Sequence, residues 1–142
     1  MAKFNLELPT QVIKDIERIY DNADEIFGEM TRAGAEVVNG NIEANLPQSV
    51  RNSEMMKCLR ITKTYKTPTD DGINTKVGFY GYFKNKNGKI VPAPLVANVF
   101  EYGRSSAPFP KHPFLRKSFK KKEIEEAMLK AQSKASGGLL DE

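Results

Sequence analysis

The chain has 142 residues, of which 39% are hydrophobic and 28% are charged. This length fits one domain with a core of its own, and this composition is typical of a soluble globular protein. A single cysteine, Cys58, and a single histidine, His112, exclude intrachain disulfides and a zinc site built from clustered cysteine and histidine ligands. No apolar run is long enough to span a bilayer, and the N-terminus lacks the apolar segment of a secretory signal.

The net charge of +4 is unevenly distributed along the chain. Residues 1–46 carry four Lys or Arg against nine Asp or Glu, a net charge of −5. Residues 47–122 have a net charge of +12, and residues 123–142 have a net charge of −3. Such asymmetry is typical of proteins that bind nucleic acid and of proteins whose subunits attract one another. It also occurs on ordinary solvated surfaces.

Apolar residues at alternating spacings of four and three predict a long amphipathic helix over residues 10–46. Pro9 fits its start, Gly40 and Pro47 bound its far end, and Gly28 and Gly34 lower the helix propensity enough to permit a bend. We expect the apolar stripe to pack on the protein's own sheet, and the alternative is that part of it packs against a neighbouring subunit. The stripe comprises Val12, Ile16, Ile19, Ala23, Ile26, Met30, Ala33 and Val37.

The apolar period then changes to two, which predicts an antiparallel β-meander of three to four strands over residues 57–92. A first strand contains Leu59 and Ile61. A second strand, residues 75–83, places Val77 and Phe79 on one face and Tyr80 on the other. A Pro- and Asp-Gly-containing turn at 67–72 and an Asn-Gly loop at 84–89 separate the strands.

Beyond the meander, the sequence predicts a short helix over residues 94–103, an irregular loop, a C-terminal helix over 113–132 and a flexible tail over 133–142. Residues 1–142 are thus expected to form a single α+β domain. In this domain a long N-terminal helix packs on an antiparallel β-meander of three to four strands, accompanied by a short helix and a C-terminal helix.

The sequence contains no phosphate-binding loop, dinucleotide fingerprint, zinc-protease motif or nucleophile elbow. The adjacent Asp70 and Asp71 are interpreted as turn residues, and His112 as a surface loop histidine. Cys58, beside Lys57, is either a thiol of lowered pKa or, as we favour, a buried or half-buried small apolar residue. We therefore expect no enzymatic activity, no metal and no cofactor.

A nucleic-acid-binding module is the alternative that the sequence leaves open. Lysines and tyrosines alternate along the predicted hairpin, and such residues can bind phosphates and stack on bases. Lys63, Tyr80, Tyr82 and Lys84 are the residues on which this hypothesis depends. The tyrosines are equally good strand residues, so we do not expect direct nucleic-acid contact.

The most distinctive pattern lies between residues 96 and 119, where one helix ends and the next begins. Gly103 permits a left-handed turn, and Phe114 with Leu115 can fill the corner between the helices. Glu101 is expected to pair with Arg104 or with Arg116 and so hold the loop to the last helix. A packed corner with no further role is the other interpretation. The candidate interaction residues are Glu101, Tyr102, Gly103, Arg104, Pro113, Phe114, Leu115, Arg116 and Phe119.

In these residues the chain resembles the small head–tail joining, or tail-completion, proteins of long-tailed bacteriophages. The resemblance is carried by the motifs Glu101-Tyr102-Gly103 and Pro113-Phe114-Leu115-Arg116, and by the order of a long helix, a β-meander, a short helix and a C-terminal helix. It implies a structural virion protein with no enzymatic activity and no cofactor. It also implies a ring of identical subunits that contacts connector and tail tube proteins. Such a protein would be located at the head–tail junction or tail, and in the host cytoplasm during assembly.

Overall fold

A computed structural model describes residues 9–106 and 109–140 of the chain. Helices α1 (Thr10–Asp21) and α2 (Ala23–Asn45) are followed by α3 (Gln48–Arg51) and a 3₁₀ turn (Glu54–Cys58). The strands are β1 (Leu59–Ile61), β2 (Tyr65–Lys66), β3 (Ile73–Asn74), β4 (Val77–Phe79), β5 (Tyr82–Lys84) and β6 (Ile90–Pro92). Helices α4 (Ala93–Tyr102), α5 (Leu115–Ser118) and α6 (Lys121–Ser136) complete the described part. The predicted α+β class is confirmed.

The strands pair antiparallel and form two hairpins. In the first, β1 pairs with β4 so that Leu59 lies opposite Phe79, while β2 pairs with β3 nearer the turn. In the second, β5 pairs with β6 so that Phe83 lies opposite Val91. The strand predicted over 75–83 is divided, because Gly81 adopts a φ of 84° between β4 and β5.

The N-terminal helix predicted over residues 10–46 is divided at Asn22. The Asn22 side-chain amide donates to the carbonyl of Arg18 at 2.9 Å, a local bond that competes with the helical backbone. Helix α2 runs unbroken through Gly28 and Gly34. At Gly34 an added Cβ would lie 3.3 Å from Ile124 and Met128, so this glycine allows α6 to pack closely on α2.

The apolar stripe is used unequally by the two helices. Helix α1 buries none of its side chains, whereas α2 buries Ile26, Ala35, Val38 and Ile42. Of the predicted stripe only Ile26 is buried, whereas Met30, Ala33 and Val37 are partly buried and Val12 and Ile16 are exposed. Helix α2 buries mainly Ala35, Val38 and Ile42, which the predicted stripe did not include, and it packs chiefly on α6 rather than on the strands.

The C-terminal helix predicted over 113–132 is also divided, since Phe119 takes a φ of −84° and a ψ of 75° between α5 and α6. Helix α6 continues to Ser136 and ends at Gly137, whose φ of 64° is the left-handed conformation common at helix ends. Much of the predicted tail over 133–142 is thus helix or turn up to residue 140, and residues 141–142 lie outside the described residues.

Within the described residues, a core cluster joins helices α2, α3 and α4 to both hairpins. Phe79 of β4 meets Phe114 edge to face, with ring centroids 5.9 Å apart. The buried apolar residues of this core are Val38, Ile42, Leu46, Val50, Met55, Cys58, Phe79, Ala93, Ala97 and Phe114. Among the helices of residues 9–106 and 109–140, none is long and apolar enough to cross a membrane.

Candidate interaction site

The corner between α4 and α5 is organised by the carboxylate of Glu101, which is completely buried near the end of α4. One of its oxygens accepts the backbone N–H of Leu115 at 2.9 Å. The other accepts the backbone N–H of Arg116 at 3.3 Å and the Arg116 Nε at 2.9 Å. Glu101 therefore caps the first turn of α5 from a position 14 residues earlier in the chain.

The environment of Glu101 favours its ionised form. Burial by itself raises the pKa of a carboxyl, but four hydrogen bonds oppose this effect. They come from the backbone N–H of Leu115, the side chain of Arg116, and the backbone N–H groups of Arg116 and Phe114, and they lower the pKa below its ordinary value. The corner is thus built around a charged carboxylate.

Arg116, and not Arg104, is the partner of Glu101, which decides between the two pairs that the sequence allowed. Arg104 instead donates from Nε to the hydroxyl of Ser106 at 3.2 Å. The guanidinium of Arg116 also lies over the ring of Tyr102, with its Cζ 5.8 Å from the ring centroid. Tyr102 and Arg116 therefore form one exposed aromatic and cationic surface above the buried acid.

Gly103 turns the chain out of α4 in a conformation restricted to glycine, with φ of 76° and ψ of −174°. An added Cβ there would lie 3.0 Å from the carbonyl oxygen of Phe109. The loop closes through a β-bridge between Arg104 and Phe109 and through a 2.7 Å bond from the His112 N–H to the carbonyl of Phe100. Residues 107 and 108, part of the distinctive segment, lie outside the described residues.

The remaining candidate residues divide between the core and the surface. Phe114 is 1% exposed and fills the corner against Phe79, as predicted, and Leu115 packs at the edge of the same core. Pro113 is partly buried ahead of α5. Phe119 is 64% exposed, so it does not belong to the packed corner.

Three polar residues that sequence reasoning missed connect the corner to α2. Ser118 is completely buried, and its hydroxyl donates to the carbonyl of Phe114. Asn45 donates to the Ser118 hydroxyl at 3.2 Å, and Asn41 donates to the Ser118 carbonyl at 3.1 Å. Both asparagines lie on one face of α2 at a spacing of four, which is the only sequence signal that could have identified them.

The residues weighed for catalysis have structural contacts. Asp70 Oδ1 accepts the N–H of Gly72 at 2.9 Å, the geometry of a turn. The ring of His112 lies against Phe100 and Phe109. Cys58 is buried in the core. Within residues 9–106 and 109–140, no three His, Cys, Asp or Glu side chains come together as possible metal ligands.

One contact between the acidic and basic parts of the sequence lies within the chain. Lys66 of β2 donates to Asp24 of α2 at 3.1 Å, and this hydrogen bond, together with the charge of Asp24, raises the pKa of the Lys66 amine. Both side chains are exposed. The first hairpin is thereby held against the start of α2.

A groove of about 670 Å³ opens beside the corner, between the connector after α2, the second hairpin and α4. Lys84 and Lys86 of the second hairpin belong to its lining and are exposed, so we call it the lysine-rimmed groove. Phe100 lines the groove and also packs edge to face on Phe109 of the corner loop, with ring centroids 5.2 Å apart. The apolar lining residues are Val50, Met55, Phe83, Val96 and Phe100.

Comparisons of the chain with protein-family models, with curated proteins and with solved structures found no match.

Proposed function

We propose that this chain is a structural virion protein of a phage or prophage. In this role it joins head to tail, or completes the tail, as a ring at the head-proximal end. Its partners are further copies of itself and the neighbouring connector and tail tube proteins. The proposal assigns no catalytic step and no cofactor to the chain.

The observation that carries the proposal is the capping of α5 by Glu101. The two motifs behind the phage resemblance lie on either side of an irregular loop, and the carboxylate of Glu101 joins them through Leu115 and Arg116. They therefore form one structural unit. A unit fixed by buried charge-assisted bonds presents its outer residues in a defined geometry, as an assembly interface requires.

The surface of this unit has the composition of an interface. Tyr102, Arg116 and Phe119 are exposed around the corner, and aromatic and arginine side chains are enriched where proteins bind one another. The separation of charge along the sequence supports the same proposal, because opposite charges on different surfaces favour subunit association.

Particles produced from a genome with and without an intact copy of this gene test the proposal. We expect purified particles to contain the protein, and we expect its loss to yield full heads and tails that are not joined, or tails of abnormal length, in electron micrographs. Normally joined, infectious particles that lack the protein would refute it. The Phe119→Ala variant should keep the fold but reduce joining, whereas Leu129→Ala, at an equally exposed site on α6, should not.

A nucleic-acid-binding module is the second candidate, supported by the exposure of Tyr82. This ring is 72% exposed and lies two residues from Lys84 on the same strand. Against it, Lys76 lies over the ring of Tyr65, 5.3 Å from the centroid, so that ring face is already covered. An electrophoretic shift that weakens with salt and with Tyr82→Ala would favour this function, and no shift at low salt would reject it.

A further inference from the structure

Helix α1 exposes apolar side chains whose spacing in the sequence predicts that they are buried. Ile16 is 55% exposed and Tyr20 is 81% exposed, and Val12 and Ile13 are exposed beside them. A helix of 12 residues is marginal in water unless its apolar face packs on something. Within the described part of the chain these four side chains stay exposed, whereas Ile19 on the same helix is partly buried near the end of α6. Contiguous exposed apolar side chains of this kind mark an interaction site.

The lysine-rimmed groove has complementary chemistry. It is a concave apolar surface lined by Phe83, Val96 and Phe100, and such grooves accept the apolar face of an amphipathic helix. None of its lining residues belongs to α1, and within the chain the principal packing partner of α1 is α2. The helix and the groove are therefore separate surfaces of one molecule.

The charges around the two surfaces are opposite. Helix α1 carries Asp15, Glu17 and Asp21 against Lys14 and Arg18, and the start of α2 adds Asp24, Glu25 and Glu29, of which Asp24 is paired with Lys66. Residues 84–89 of the second hairpin contain three Lys and no acid. Only Glu54 contributes an acidic side chain to the described groove lining. Docking of α1 in the groove would bring its acidic flank to these lysines.

We propose that helix α1 of one copy of this chain docks in the lysine-rimmed groove of a second copy. Because the contact joins two different surfaces, it is head-to-tail, and repetition of it yields a closed ring or an open filament. This docking would be the repeating contact of the ring proposed above. Only the closure of the contacts into a ring rests on the proposed function. Apolar burial holds the helix, and the opposite charges set its orientation.

A photocross-linking experiment on the full-length protein tests which surface α1 contacts. The cross-linking residue p-benzoylphenylalanine replaces Ile16, and the protein is mixed with an isotopically labelled, unmodified chain. We expect mass spectrometry to find unlabelled α1 peptides joined to labelled peptides from residues 49–55 or 83–100. Cross-links to other surfaces, or cross-links only within one chain, would overturn the proposal.

Substitutions at exposed sites then test the energetics by sedimentation velocity over a range of concentrations. Ile16→Asp should abolish association, whereas the control Leu129→Asp, exposed to a similar extent on α6, should not. The double variant Lys84→Glu/Lys86→Glu should weaken association about tenfold, as expected for two exposed charge pairs. The control Lys122→Glu/Lys130→Glu makes the same change in net charge on α6 and should leave association unchanged.

A charge exchange completes the test. Glu17→Lys/Asp21→Lys should weaken association alone and restore it when mixed with Lys84→Glu/Lys86→Glu chains. Circular dichroism of each variant checks that it remains folded. A wild-type protein that sediments as a monomer at the highest concentration would overturn the proposal. A groove that binds a small molecule in such a monomer would overturn it as well.

The outcomes separate this inference from the proposed function. Normal α1–groove cross-links in a protein that is absent from purified particles would leave the inference standing and refute the virion role. A protein that is present in particles but lacks these cross-links would support the virion role and refute the docking of α1 in the groove.

Discussion

Glu101 lies fully buried and binds Arg116 through both the backbone N–H and the guanidinium Nε, at 3.3 and 2.9 Å. The arginine side chain itself is largely exposed and lies over Tyr102. One carboxylate thus links the core to an exposed surface, so a change in its charge affects both the stability of the corner and the arrangement of its outer residues.

Glu101→Gln should lower the free energy of unfolding by about 2–4 kcal/mol, because a neutral amide replaces a buried carboxylate that accepts charge-assisted hydrogen bonds. The NH₂ group of the new amide would also face N–H donors that it cannot pair with. Denaturant titration measures the loss. Glu126→Gln, on an exposed site of α6, is the matched control and should change stability by less than about 0.5 kcal/mol. Equal effects of the two substitutions would contradict the assigned role.

The stabilisation by Glu101 should depend on pH in the acid range. Its pKa is lowered in the folded protein from an ordinary value of 4.5, so its contribution is complete above that value and is lost as the pH falls through the folded pKa. The difference in unfolding free energy between the wild type and Glu101→Gln should therefore be constant near neutral pH and shrink below about pH 4.5. A difference that grows on acidification would have the wrong sign.

Gly103→Ala should destabilise the protein by about 1–3 kcal/mol, since the backbone of Gly103 lies in a region that alanine rarely adopts and the new Cβ would approach the Phe109 carbonyl. Gly40→Ala provides a control of opposite sign. Gly40 is exposed within α2, with no atom within 4 Å of an added Cβ, and alanine there should stabilise by about 0.5–1 kcal/mol. Thermal or denaturant unfolding of both variants measures these effects.

Phe114→Ala should cost about 3–5 kcal/mol, because it removes a buried ring and its edge-to-face contact with Phe79. Phe119→Ala removes the same side chain from an exposed site and should change the stability by no more than about 0.5 kcal/mol. Urea titrations of the pair distinguish the buried residue from the surface residue. Similar losses in both would mean that Phe119 is buried in solution.

The sequence predicted the parts of the fold that follow from local pattern. The period of two placed Phe79 in the core and left Tyr80 exposed, and the short helix predicted over residues 94–103 matches α4 closely. Glu101 was correctly expected to pair with an arginine, because an acid beside a helix end with two arginines in reach has few other partners. The choice between Arg104 and Arg116 depended on the path of the loop, which spacing alone does not define.

The breaks within elements were not predictable from periodicity. Both Asn22 and Phe119 interrupt segments whose apolar pattern continues on either side, so the pattern favoured single helices. Gly34 lowers helix propensity but serves close packing on α6, a tertiary requirement that overrides the local preference. The network of Ser118 with Asn41 and Asn45 joins residues more than 70 positions apart, beyond any local signal.

The burial of Cys58 also affects how the protein reacts with thiol reagents. It is the only thiol in the chain, it is 4% exposed, and its Sγ lies 3.6 Å from the carbonyl oxygen of Tyr82 in the second hairpin. A thiol reagent can reach it only when the core beside that hairpin opens, so its labelling rate reports the frequency of this opening. Cysteines introduced at exposed positions, including those on α1, would therefore react first and without interference from the native thiol.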